Sequence, residues 1–371
     1  MKLVVFSDLH LEASFAWARP EAARALRREL RDALWRIVEL AAARGADALL
    51  CAGDLYEHER ASADTAEFLR HAFEAAPCRV ILAPGNHDPL VDDSLYATTP
   101  FPSNVHLFRS PRFEPLALSD GVALWGAAHL QTRDTPGFFE GGWRAAGPGV
   151  HLGLFHGSER SFLMSEGADK IGHAPFAAAD LERAGLHHAF VGHYHKARLE
   201  PSLTYPGAPA FLSFGSAIGG AVVAEIGEDG SIERERVEVA SIGVHDVHLD
   251  VTGLPTADAI RRRAADELAG RRGIARISLR GEIPASMELR AGEDLGREAL
   301  GDAAEKLLDV LVRADDLAPA YDLDAIAGER SARGEFVRRV RAAELDERTR
   351  AQVLAAGLRA LDGRDDLEVL P

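Results

Sequence analysis

Short apolar runs that stop abruptly on Asp, Asn or His set the rhythm of the first half of the chain. Leu3-Val4-Val5-Phe6 runs into Ser7-Asp8-Leu9-His10, Ala48-Leu49-Leu50-Cys51-Ala52 into Gly53-Asp54-Leu55-Tyr56, and Val80-Ile81-Leu82 into Pro84-Gly85-Asn86-His87-Asp88. Further on, Leu152-Gly153-Leu154-Phe155 stops at His156-Gly157, and Ala189-Phe190-Val191 at Gly192-His193-Tyr194-His195. Apolar runs of this length read as buried strands of an α/β fold. Between the first two the period lengthens: Ala22, Leu26, Leu30, Leu34, Ile37, Val38 and Ala41 recur at helical spacing over 20–44, with Pro20 at the start and Gly45 after the end. A second helix is predicted over 62–75 and a strand over 79–83. The opening is therefore β-α-β-α-β, a sheet covered by helices.

From 105 to 127 the runs shorten to Val105-His106-Leu107-Phe108 and Val122-Ala123-Leu124-Trp125, broken by Pro and Gly, and predict strands of a second sheet. Residues 136–149, rich in Gly and Pro and holding Phe138, Phe139 and Trp143, read as a surface loop or a lid, with the loop favoured. A helix follows at 177–184, then a strand carrying His193 and His195, then a tight loop at Tyr205-Pro206-Gly207-Ala208-Pro209. Strands at 222–226 and 232–239 flank Gly227-Glu228-Asp229-Gly230, the turn chemistry of a hairpin. We place the first domain at 1–242. A strand-like stretch at 244–251, a helical one at 256–270 and another strand-like one at 274–279 make a small β-α-β unit, assigned to a second domain at 243–325, and 326–371 is a helical segment.

At 371 residues the chain exceeds what one core usually organises, which agrees with several domains. Its 47% hydrophobic content is ordinary for a globular protein, and no apolar run approaches a membrane span. The N-terminus already reads as a strand, without a signal-peptide cleavage pattern, so a soluble, cytoplasmic protein is expected. Cys51 and Cys78 lie in or beside predicted buried strands and suit small hydrophobes in a reducing compartment. The net charge of −16 argues against a protein that holds nucleic acid by general basicity, so any grip on DNA has to be local. Arg24, Arg27, Arg28 and Arg31 interleave with Glu21, Glu29 and Asp32, as on a solvated helix face.

The polar stops carry the chemistry. In α/β folds the carboxyl ends of the strands are where ligands bind. Asp8 and His10, like His193 and His195, are two residues apart, so on extended backbone their side chains leave from one face. Gly-Asp, Asn-His-Asp or a lone His would each suit an ordinary turn or a buried structural role. Five such stops at the same kind of place make a constellation.

The ordered set Asp-x-His, Gly-Asp, Gly-Asn-His-Asp, His and Gly-His-x-His resembles the calcineurin-like metallophosphoesterase superfamily. The contexts Phe6-Ser7-Asp8-Leu9-His10, Gly53-Asp54-Leu55-Tyr56 and Gly85-Asn86-His87-Asp88 are most similar to its DNA-repair branch, the SbcD-type nucleases. The motifs span residues 4–195, and the layout after 240 fits more loosely. The resemblance implies an α/β fold, a two-sheet αββα sandwich with a small β-α-β capping domain and a C-terminal helical segment. It implies that Asp8, His10, Asp54 and His195 hold one metal ion and Asp54, Asn86, His156 and His193 the other, with Asp54 as the bridge. Such a ligand set suits Mn²⁺, Fe²⁺ or Zn²⁺ better than Mg²⁺ or Ca²⁺, and the nuclease branch implies Mn²⁺. Two such ions can clamp a phosphate and activate a shared water for in-line displacement.

By the same resemblance His87 faces the substrate, where it stabilises the transition state or protonates the leaving oxygen, with Asp88 orienting its ring. Tyr205 and Gly207 would lie next to the metals and contact substrate. Arg261, Arg262 and Arg263 in the capping domain are either phosphate contacts or a solvated helix end. One departure stands out: many nucleases of the branch carry a histidine three residues after the bridging aspartate, where this chain has Glu57, with His58 one position later as a stand-in for substrate handling. The apolar stripes Phe336, Val337, Val340, Leu345 and Val353, Leu354, Leu358, Leu361 either pack on their own core or bind the coiled-coil base of an SbcC-type ATPase. The expected function is a Mn²⁺-dependent DNA exo/endonuclease with DNA and that ATPase as partners, with a homodimer allowed and no membrane. The alternatives are an enzyme hydrolysing small-molecule phosphodiesters or phosphomonoesters, and a non-catalytic architectural subunit of an ATPase complex.

Overall fold

The computed structural model describes residues 1–133, 135–166, 172–216, 218–284, 287 and 289–363. It divides into two compact units, Met1–Gly243 and Val244–Pro371.

The first unit begins with β1 (Lys2–Phe6), α1 (Pro20–Arg44), β2 (Ala48–Cys51), α2 (Ala63–Glu74), β3 (Arg79–Leu82), α3 (Leu95–Thr98) and β4 (Val105–Leu107). Helix α1 stops where Gly45 turns to φ +60° and its N–H meets the carbonyls of Ala41 and Ala42. Helix α2 starts where the Ser62 hydroxyl accepts from the Thr65 N–H. Next come β5 (Glu114–Ser119), β6 (Val122–Gly126), β7 (Val150–His156), α4 (Arg160–Glu166), α5 (Ala178–Arg183), β8 (His188–Gly192), β9 (Arg198–Leu199) and β10 (Leu203–Tyr205). The hairpin β11 (Ala221–Ile226) and β12 (Ile232–Val237) returns to β1, so the first sheet runs β12-β11-β1-β2-β3-β4 and the second β5-β6-β7-β8-β10-β9.

Alternation along the strands builds the layers. Leu3, Val5, Leu50 and Ile81 of the first sheet meet Leu124, Leu152, Leu154 and Phe190 of the second. The outer face of the first sheet lies under α1, whose Leu26, Leu30, Leu34 and Ile37 are buried. Outside the second sheet, Phe155, Val191 and Leu203 pack against Phe113, Phe176, Leu181 and Tyr194. This is the αββα sandwich expected from the sequence.

One expectation is corrected. Val105–Leu107 belongs to the first sheet, parallel to β3 with Val80 opposite Val105. A strand of three half-buried residues carries too little pattern to say which sheet it joins. Segment 136–149 is the surface loop expected, mostly exposed, but anchored: Phe138 is buried, and the Trp143 ring lies 4.4 Å from that of Phe113. Gly and Pro report irregular backbone, and here three aromatic rings pin that backbone to the core.

His188 opens β8 in a buried position with Nε2 2.9 Å from the Thr204 hydroxyl. Burial, helped by the Arg234 charge, pushes its imidazole down to about 3. The unfolded chain takes up this proton near pH 6.5, whereas the folded chain does so only near pH 3. This histidine's contribution is therefore intact above the first value and is lost as pH falls between the two, with a slope approaching about 1.4 kcal/mol per pH unit. Urea denaturation at about pH 7 and about pH 5 should show a smaller acid loss for His188→Gln than for wild type. Equal losses would remove His188 from the acid response.

The second unit carries β13 (Val244–Asp250), α6 (Ala257–Leu268), β14 (Gly273–Pro284), α7 (Ala291–Leu295), α8 (Arg297–Leu300) and β15 (Leu307–Ala320), a parallel sheet in the order β13-β14-β15. Ile260, Ala264 and Leu268 of α6 cover Val247, Leu249, Ile277 and Leu279. Then α9 (Leu323–Gly328), α10 (Ala332–Ala342) and α11 (Glu347–Leu361) close a separate small cluster of Ile326, Val337, Val340, Leu354 and Leu358. Val353 and Leu361 remain exposed at 36% and 45%. Among the described residues no helix is long and apolar enough to cross a membrane. Both cysteines are free.

Candidate metal centre

The loops after β1, β2, β3, β7 and β8 converge at one edge of the sandwich, and unusual backbone shapes them. Asp8, His10, Asp54 and His193 have φ of 53°, 49°, 53° and 119°, a region that costs an L-residue about 1–2 kcal/mol. Cross-loop hydrogen bonds hold them there: Asp8 N–H to Gly53 O, His10 N–H to Asp54 O and Leu11 N–H to Leu55 O, each 3.0 Å. The His193 N–H donates to Asp8 Oδ1 at 3.0 Å. This corrects the reasoning from extended alternation. Strand β8 ends at Gly192, and His193, at φ 119°, and His195 follow it in a loop.

Ligand-capable atoms of Asp8, His10 and His195 lie within 4.8 Å of one another, as do those of Asp8, Asp54 and His156, and those of His10, Asp54 and His87. Asp54 Oδ2 sits 3.2 Å from His156 Nε2 and 3.6 Å from His10 Nε2. The His193 ring lies 5.3 Å from that of His156. Burial alone would raise the Asp54 carboxyl, but His156 and then His10 hold it well below the usual range. Glycine makes the approach close enough: a Cβ on Gly85 would stand 2.3 Å from Asp54 Oδ1.

The donor atoms fit divalent cations. Among the described residues, His10 Nε2, His156 Nε2 and Asn86 Oδ1 are buried without a hydrogen-bond partner, although such atoms are nearly always satisfied. Their second atoms explain the orientation. His156 Nδ1–H donates to Ala52 O at 3.0 Å, and His10 Nδ1 lies 2.7 Å from Glu57 Oε1, so each Nε2 lone pair is left for a cation. Imidazole, carboxylate and amide oxygen together suit Mn²⁺, Fe²⁺ or Zn²⁺.

Asp88 does not orient His87. Its buried carboxylate accepts from Asp54 N–H at 3.0 Å, Leu55 N–H at 2.7 Å, Gly85 N–H at 2.7 Å and the Tyr96 hydroxyl at 2.6 Å, clamping the loop after β2 to the loop after β3. Neighbours in a turn diverge: the His87 side chain is 45% exposed while Asp88 faces inward. Glu57 holds His87 instead, with Oε2 3.0 Å from Nδ1. Burial would raise Glu57, but its bonds to His10 and His87 keep it at about 2. Burial would lower His87, yet Glu57 and Asp54 lift it to about 9. In the sequence Glu57 is visible only as a departure from an expected histidine.

Other expected substrate residues change roles. His58 lies outside the three clusters, its Nε2 3.5 Å from Asp93 Oδ1. Tyr205 is fully buried, its hydroxyl donating to Gly157 O at 2.8 Å and accepting from Glu159 N–H at 3.1 Å, which leaves nothing for substrate. Gly207, at φ +75°, lets the chain pass the His195 loop, where a Cβ would stand 2.5 Å from His195 O. It braces a candidate ligand. Arg261 pairs with Asp258 and Arg263 with Glu267 on their own helix, while Arg262 is exposed. His129 was missed: buried behind His156, it donates from Nε2 to His156 O at 2.7 Å. It too follows an apolar run, β6, and that was the available signal.

The sequence pattern shared by proteins described as "Calcineurin-like phosphoesterase" matches residues 1–197, a span that contains all these loops. The chain belongs to the calcineurin-like phosphoesterase family. That family works through a dinuclear metal centre, and the three ligand-capable clusters lie within the matched span. A protein of Bacillus subtilis (strain 168), "Uncharacterized metallophosphoesterase YhaO", is 28% identical over 215 residues, covering 54% of this chain and 51% of that protein. The chain thus spans about half the length of the curated relative it matches. Among solved structures, Yfce, a phosphoesterase from E. coli, is 18% identical with a TM-score of 0.29, covering 64% of this chain and 100% of that one. The 5'-nucleotidase precursor from Thermus thermophilus is 15% identical with a TM-score of 0.34, covering 65% and 55%.

Proposed function

We propose that this phosphoesterase is a DNA nuclease working with a coiled-coil ATPase. Asp8, His10, Asp54 and His195 would hold one cation, and Asp54, Asn86, His156 and His193 the other. Bound there, Mn²⁺ ions would supply Lewis acidity toward a phosphodiester and acidify a water. His87, at the exposed rim, stabilises charge on the phosphate or protonates the leaving oxygen. Glu57 orients it, and Asp88 keeps the two loops in register.

The observation that supports DNA over a small ester is the second unit. Residues 244–371 follow a catalytic unit whose sheets and candidate metal loops are already complete, and a pocket enzyme needs no further sheet or helical cluster. In this reading α11 presents Val353 and Leu361 to the ATPase. A small-molecule phosphoester is the second reading, favoured by the net charge of −16 and by the acidic partners of Arg261 and Arg263.

Purified protein with Mn²⁺ should cut labelled single- or double-stranded DNA, and chelator should abolish cutting. Hydrolysis of bis-p-nitrophenyl phosphate or p-nitrophenyl phosphate with intact DNA would establish the second reading. Inertness toward all substrates with Mn²⁺ bound would point to an architectural subunit.

A further inference from the structure

We infer that Glu57 is a positioning residue that holds the Nδ1 hydrogens of His10 and His87 together, tying occupancy of one half of the metal centre to the substrate-facing imidazole. The inference rests on the reading of His10 as a metal ligand. A carboxylate only accepts hydrogen bonds. With Oε1 2.7 Å from His10 Nδ1 and Oε2 3.0 Å from His87 Nδ1, both rings have to carry their hydrogen on Nδ1. The lone pair of His10 is then on Nε2, the buried atom that lacks a partner among the described residues.

The backbone shows that this placement is built. The Glu57 N–H donates to Leu11 O at 2.9 Å, zipping the residue to the loop that carries His10. Glu57 also precedes the 3-10 turn His58–Arg60, yet its side chain does not cap that turn, because it reaches the two histidines instead. The two rings meet edge to face with centroids 4.7 Å apart. Among the described residues, the ion pairs of Glu57 are with these histidines. A movement of either ring is therefore felt by the other through one rigid carboxylate.

Glu57→Gln separates this role from packing. The amide has nearly the same shape but one acceptor and one donor end, so it can satisfy only one Nδ1–H, and the other ring has to give up its Nδ1 hydrogen. Long-range ¹H–¹⁵N NMR of metal-free, ¹⁵N-histidine-labelled wild type should show Nδ1–H on His10, with the Nδ1 of His87 protonated too. In Glu57→Gln one ring should switch. Where the ring that changes is His10, calorimetric Mn²⁺ titration should show affinity reduced about 10–100-fold at one site and retained at the other.

Wild-type tautomers and two wild-type Mn²⁺ affinities in Glu57→Gln would overturn the inference. Should the variant not fold, as judged by thermal melting, wild type decides: hydrogen on His10 Nε2 in the metal-free protein refutes the proposed orientation. If wild type takes up no Mn²⁺, the metal-centre reading fails and the coupling with it, whereas the tautomers still report whether Glu57 holds the two rings.

Discussion

His87→Asn should lower turnover by about 10²–10⁴-fold while leaving metal content at the wild-type value. His87 is the most exposed member of the three ligand-capable clusters, and its backbone N–H meets Asp54 Oδ1 at 2.9 Å, so its ring stands directly beside the centre of the site. Asparagine can retain that backbone bond but has no imidazole to place at the reacting phosphate. The candidate ligands Asp8, His10, Asp54, Asn86, His156, His193 and His195 are untouched. Turnover of a chromogenic phosphodiester under saturating Mn²⁺, read beside elemental analysis, separates the two effects. Hydrolysis at the wild-type rate would refute the role given to His87, and loss of metal would make His87 a ligand.

Asp88→Ala should destabilise the catalytic unit by about 3 kcal/mol or more. The substitution strips the acceptor from three buried N–H groups and the Tyr96 hydroxyl, and each orphaned group costs about 1–3 kcal/mol. Part of that loss is offset, because burial and the neighbouring Asp54 charge already push the Asp88 carboxyl upward. Asp88→Asn should cost less than Ala, since its amide oxygen still accepts and its NH₂ can donate to the Tyr96 hydroxyl, while the backbone N–H groups on the NH₂ side can only donate. Urea unfolding of the full chain without metal measures the effect. Midpoints of both variants at the wild-type value would show that the clamp contributes nothing to stability.

Asp88 and Glu57 also mark where linear reading stops. The sequence placed His87 next to Asp88, and adjacency suggested the pair. The carboxylate that meets His87 comes from thirty positions away, at Glu57. Which of two carboxylates faces a ring depends on how the loops after β2 and β3 lie against each other, and neither loop encodes that alone. Tyr205 shows the same limit, because its motif context suggested an exposed neighbour of the metals whereas the second sheet buries its hydroxyl on the backbone of Gly157 and Glu159.

Amino-acid order by itself determined the apolar strands β1, β2, β3, β7 and β8, the limits of α1 and the polar residues at those strand ends. Burial on both faces demands unbroken apolar runs, and the point where the chain leaves the sheet is the first place that tolerates Asp, Asn or His. Tertiary structure alone decided that Val105–Leu107 joins the first sheet, that residues 136–149 are anchored by their rings, and that Asp8, His10 and His193 reach the site through backbone at positive φ. These outcomes depend on contacts between segments distant in sequence, whose energies exceed the local preference for extended backbone or exposure.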